Sequence, residues 1–139
     1  MPRKPVLFTS AALTAEEAGI IREARQATGR RQFRHRNCFA NSQLLAISDG
    51  RVGYAEGVAF TGRLVVHHGW NVIGGKVVDV TWKHEGVFPP PTRYLGLVFS
   101  AHEAREHWVS RGTGLVHIAM LEDVLDLYRK LESEVRRAS

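Results

Sequence analysis

The residues able to do chemistry together are one cysteine, two adjacent histidines and one aspartate in the middle of the chain. Cys38 falls at the expected first turn of a helix. The unpaired N–H groups and partial positive charge of such an end favour a thiolate. Arg34 and Arg36 push the same way. The competing reading of a lone cysteine is a small core residue. His67 and His68 are neighbours on one expected strand, so they point to opposite faces and only one can serve a given site. The chain then turns at Gly74-Gly75. A two-residue loop there sets His68 opposite Thr81 and Trp70 opposite Asp79. His68, Trp70, Asp79 and Thr81 then share one face, with Asp79 a diagonal step from His68. His67 points the other way, and a one-residue bulge would exchange the two histidines.

A cysteine at a helix start, a histidine on a strand and an aspartate on the next strand suit acyl transfer through a thioester. The thiolate attacks a carbonyl. The imidazole keeps the ion pair and protonates the leaving group, while the carboxylate fixes the ring's tautomer and direction. Taken singly, His68 could be a strand histidine satisfied by backbone and Asp79 a surface carboxylate near a turn. The order and placement of all three favour catalysis.

The elements that would hold these residues are legible along the chain. Thr14 and Glu17 form a capping box for a helix over 14–28, which Gly29 ends. A basic stretch, Arg30 to Arg36, leads into a short helix from Cys38 to Ile47, with Leu44, Leu45 and Ile47 inward. Residues 52–60, 64–73 and 76–82 are rich in β-branched and aromatic types and are separated by Thr61-Gly62 and Gly74-Gly75, which predicts two hairpins. Pro89-Pro90-Pro91 marks a loop, since three prolines cannot donate to a ladder. A fourth strand spans 94–99. Ser100 and Glu103 cap a helix running to about Ser110, Val116-His117-Ile118 reads as a short edge strand, and Leu121, Val124, Leu125, Tyr128, Leu131 and Val135 form the stripe of a last helix. Residues 1–12 read as a tail or edge segment. The whole chain, 1–139, is one α+β domain.

Five short blocks add a resemblance. They are Cys38-Phe39-Ala40-Asn41-Ser42, Tyr54-Ala55-Glu56-Gly57, His68-Gly69-Trp70-Asn71, Val78-Asp79-Val80-Thr81-Trp82 and Tyr94-Leu95-Gly96. In order and spacing they resemble small bacterial and phage proteins of the transglutaminase-like branch of the papain-like superfamily. There the blocks run C-[YF]-x-N-[AS], Y-x-E-G, H-[AG]-W-N, D-P-T-W and Y-[LF]-G. The match covers roughly residues 37–99, and Val80 stands where proline is usual. The resemblance implies a papain-like core in which the cysteine helix packs on an antiparallel sheet. It also implies Cys38 as nucleophile, His68 as base and acid, and Asp79 as orienting carboxylate. It implies no substrate.

An oxyanion hole is also needed, and the Cys38 N–H is one natural donor. Gln32 lies six residues before Cys38, a spacing that looks like the papain glutamine; Asn37 and Asn41 are rivals for the role. Glu56 sits in an otherwise apolar strand. It either recognises a substrate amine or amide beside the thiolate, or faces solvent or pairs with an arginine. Trp70 and Trp82 suit the core, and Trp70, on the His68 face, is the better candidate for shaping the cleft.

Composition bounds the alternatives. Nineteen basic against fourteen acidic residues leave a net +5, which permits anionic partners without demanding them. A nucleic-acid-binding module is suggested by Arg30–Arg36 with Phe33 inside it, but no recognised binding motif accompanies the run. A catalytically silent interaction module on the same fold is the third reading, and the intact trio argues against it. One cysteine allows neither an internal disulfide nor a cysteine zinc site, and the simplest setting is a reducing cytoplasm. Adjacent histidines cannot converge on one ion and no H-E-x-x-H is present, so no metal or cofactor is expected. No apolar run reaches the roughly 18 residues of a membrane span. The expected partner is an amide-bearing protein, peptide or small molecule, used in hydrolysis, deamidation or transamidation.

Overall fold

A computed structural model describes residues 4–9, 11–29, 38–61, 64–80, 90–111 and 118–138. The stretch Arg30–Arg36 with Gln32 in it, Asn37, Thr81, Trp82 and Val116-His117 lie outside the described residues. Five strands, β1 (Val6–Thr9), β2 (Gly53–Thr61), β3 (Leu64–Ile73), β4 (Lys76–Val78) and β5 (Arg93–Phe99), combine with helices α1 (Ala15–Thr28), α2 (Cys38–Ser48), α3 (Ala101–Arg111) and α4 (Ile118–Ala138). The arrangement is α+β. No helix among the described residues is long and apolar enough to cross a membrane.

The strands form one antiparallel sheet in the order β1-β5-β2-β3-β4. It curls until its edge strands β1 and β4 approach each other. The concave side is filled by Phe8, Ala55, Ala59, Trp70 and Tyr94, with Val72 and Val77 packed against them. The helices cover the convex side. There α1 buries Ile21 and Ala24 against Leu45, Val52, Ile73 and Val78. Val124 and Tyr128 of α4 pack on Val58 and Leu95, and the Tyr128 ring stacks on Phe60 at 3.7 Å.

Both expected caps form. Thr14 N–H donates to Glu17 Oε1 at 2.8 Å and Glu17 N–H to Thr14 Oγ1 at 3.1 Å. Ser100 and Glu103 repeat the pattern at α3. Glu17 also takes Lys76 Nζ at 2.7 Å, which ties the start of α1 to β4. The expected edge segment at the start of the chain is β1, paired with β5.

Two expectations are corrected. The strand placed over 76–82 ends at Val78, because Asp79 and Val80 leave the ladder. Val80 turns into the core beneath α1, and the Asp79 carboxylate is taken by side chains of other strands. Ile118 starts α4 rather than ending an edge strand.

Candidate active site

The β3–β4 turn fixes the register that the site depends on. Gly74 and Gly75 take φ of +56° and +73°, a pair of left-handed residues that suits a two-residue hairpin loop. Ile73 then pairs with Lys76, Val72 with Val77 and Asn71 with Val78, with no bulge. Continued past Val78, this places Asp79 beside Trp70 on the concave side, one diagonal step from His68. The His68 Nε2 and Asp79 Oδ2 atoms are 2.7 Å apart.

Cys38 is the first residue of α2, and that helix is anchored on β3 by polar contacts. Asn71 Nδ2 donates to Ser42 O at 2.7 Å and to Gly53 O at 3.0 Å, and Ser42 Oγ donates to Gly69 O at 3.2 Å. Gly69 allows the close seating: a Cβ there would lie 3.0 Å from Phe39 Cδ1 and 3.3 Å from Phe39 Cα. The first turn of α2 therefore rests on β3 next to His68, and the Cys38 side chain is near enough to the His68 ring to favour its charged form.

Electrostatics follow from this enclosure. The His68 side chain is 3% exposed and that of Asp79 9%. Burial is the largest influence on the His68 imidazole and by itself would lower its pKa. The hydrogen bond to Asp79 and the nearby Cys38 side chain, with their charges, outweigh burial and push it up to about 10. The ring is then an imidazolium through neutral pH. Cys38, His68 and Asp79 are thus brought together in one contiguous chain of contacts.

The other expected residues divide. Trp70 shares the His68 side of β3, its ring 6.3 Å from the imidazole and tilted 20° to it. It is fully buried among Phe8, Ala55 and Tyr94, so it flanks the histidine from the core and does not line an open cleft. Asn41 lies one turn into α2, fully buried. Glu56 does not face solvent: it is 0% exposed, accepts Tyr54 Oη at 2.8 Å and lies 3.5 Å from His67 Nε2. Burial, then the Glu56 carboxylate, then Cys38 push the Tyr54 hydroxyl well above its usual range, so Tyr54 stays protonated between Glu56 and the thiol.

His67 points away from His68, as the register predicts. That side of β3 is the side on which α2 rests. Its ring sits 4.7 Å from Phe39, the residue after Cys38, and its side chain is 32% exposed. Two histidine–carboxylate pairs therefore straddle β3, His68–Asp79 on the concave side and His67–Glu56 on the convex side. The second pair is legible in the sequence in the same way as the first. Thr61 pairs with Leu64 across another two-residue loop, which sets Val58 opposite His67 and Glu56 opposite Gly69, one diagonal step away. Asn71, which seats α2, and Tyr94, whose Oη donates to Asp79 Oδ2 at 2.9 Å, carry no such local signal.

Neither a protein-family model, nor a curated protein, nor a solved structure matches the chain.

Proposed function

We propose that the protein is a cysteine-dependent acyl-transfer enzyme of papain-like, transglutaminase-like type, acting on an amide through a thioester on Cys38. The observation that carries the reading is the His68 ring, held at Nε2 by Asp79 at 2.7 Å with the Cys38 side chain near enough to favour its charged form. A buried imidazolium beside sulfur stabilises the thiolate. The thiolate forms a C–S bond with the amide carbonyl carbon, and the oxyanion faces the Cys38 N–H, one of the unpaired donors of the α2 terminus. His68 delivers its proton to the departing nitrogen as the C–N bond breaks. An acceptor, water or an amine, then attacks the thioester; His68 takes its proton and the thiolate leaves. Asp79 holds the ring in the tautomer that both steps use.

Alkylation of Cys38 by an iodoacetamide probe tests this without a substrate. A thiol at its reference pKa near 8.5 is only about 0.3% thiolate at pH 6, so an ion-paired Cys38 should label on the order of 10²-fold faster than such a thiol. Cys38→Ala should abolish labelling, and His68→Ala should return it to the slow rate. Equal, slow labelling of wild type and His68→Ala at pH 6 and pH 7 would make Cys38 a structural thiol.

A further inference from the structure

The last ladder pair is Asn71–Val78, so Asp79 stands one residue beyond the sheet's hydrogen bonds. A carboxylate can turn about its Cβ–Cγ bond, so its direction toward the imidazole is set by the groups that meet its oxygens. Its Oδ2 takes two contacts at once: His68 Nε2 at 2.7 Å and the Tyr94 hydroxyl at 2.9 Å. Tyr94 belongs to β5, which is paired on both sides, with β1 and with β2. Its ring is buried within the curl of the sheet, 5.0 Å from Trp70 and 6.3 Å from His68, so the hydroxyl has little freedom.

We infer that Tyr94 is a positioning residue for the His68–Asp79 pair, fixing the direction of the carboxylate from the middle of the sheet. The inference rests on the proposed role of Cys38, His68 and Asp79. Burial, then the neighbouring Asp79 charge, raise the Tyr94 hydroxyl far above its usual range, so it is always a donor here. It meets the same oxygen, Oδ2, that contacts Nε2. Two residues along the same side of β5, Gly96 completes the device. A Cβ at Gly96 would come within 2.6 Å of Trp70 Cη2 and 2.6 Å of Glu56 O, so only glycine leaves Trp70 its place beside the imidazole. Within Tyr94-Leu95-Gly96 the tyrosine acts on the carboxylate and the glycine, through Trp70, on the ring.

Tyr94→Phe keeps the ring and removes the hydroxyl. Two readouts, each in wild-type and Asp79→Asn backgrounds, separate positioning from general support. The first is the rate of Cys38 alkylation by iodoacetamide across pH 5–9. Loss of one charge-assisted hydrogen bond should slow the reaction at pH 6 by about tenfold in the wild-type background and move its acid limb to higher pH. In the Asp79→Asn background the same substitution should change the rate by less than about twofold, because the effects act through one group. Equal factors in the two backgrounds, or none in either, overturn the inference. The second readout is the His68 titration followed by NMR, which needs no reactivity. Tyr94→Phe should lower its midpoint by about one unit as Asp79 loses its hold on the ring. An unchanged or higher midpoint also overturns it, because Tyr94 would then merely dampen the carboxylate's charge. His68→Ala is carried alongside. If it labels as fast as wild type, the catalytic reading fails, while the NMR shift still decides the positioning role.

Discussion

Replacing Asp79 by asparagine changes charge and little else, and the consequences follow from the contacts around it. An amide oxygen at the place of Oδ2 can still accept from His68 Nε2 and Tyr94 Oη, so the fold should survive. What is lost is the negative charge against a ring that is 3% exposed. Burial is the largest influence on that ring and opposes its charged form; Asp79 and Cys38 together overcome it and bring the midpoint to about 10. With Asp79 neutral, Cys38 alone stands against burial, and the midpoint should fall by about 1–3 units, the usual worth of an adjacent opposite charge. The same shift appears in stability. The folded-state midpoint is raised above the reference value of 6.5, so the stabilisation is full below about pH 6.5 and is lost as pH rises through 10. From the displacement between those two values it amounts to a few kcal/mol, at about 1.4 kcal/mol per unit. Urea unfolding of wild type at pH 6 and pH 10 should show this loss, and Asp79→Asn should flatten it by about 1.4 kcal/mol for each unit its His68 midpoint falls. NMR titration of the His68 ring gives the midpoints directly. A midpoint in Asp79→Asn within about half a unit of wild type would refute the account, since Asp79 would then contribute almost nothing to the imidazolium.

Two further outcomes are expected. Gly69→Ala places a methyl 3.0 Å from Phe39 Cδ1, 3.2 Å from Tyr54 Oη and 3.3 Å from Phe39 Cα; these neighbours at the start of α2 must give way slightly, so Cys38 alkylation at pH 6 should slow several-fold and stability fall by about 1–3 kcal/mol, read by labelling and urea unfolding. His67→Ala removes a ring that shields the fully buried Glu56 and packs on Phe39. It should cost about 1–2 kcal/mol in urea unfolding yet leave Cys38 labelling within about tenfold of wild type, in contrast to His68→Ala.

What the sequence reveals of this site is what short loops determine. The Gly74-Gly75 turn settles the register of β3 against β4, and with it which histidine faces Asp79. The β2–β3 loop settles Glu56 against His67 in the same way. The capping boxes at Thr14 and Ser100 are equally local and form as expected. The premature end of β4 has no local cause, since Val78-Asp79-Val80 reads as strand by composition. It ends because Asp79 is drawn to His68 and Tyr94 while Val80 is buried under α1, contacts set by elements far away in the chain.

Tyr94 belongs to the same class. Nothing in the residues between Asp79 and Tyr94 fixes their separation, because β5 crosses the sheet to pair with β2 rather than with β4. Only once the sheet curls, bringing β1 toward β4, does the inner side of β5 face the end of β4. Small residues let β2 and β5 approach closely. Gly57 pairs with Gly96, and a Cβ on Gly57 would strike Leu95 O and Gly96 Cα. Closeness there lets Trp70 lie over Gly96 beside His68, and it brings the Tyr94 hydroxyl within reach of Asp79. The histidine is therefore oriented by the closure of the sheet as much as by its own hairpin. A substitution that opens the β2–β5 contact should loosen His68 while leaving every residue of the Cys38, His68 and Asp79 trio in place in the sequence.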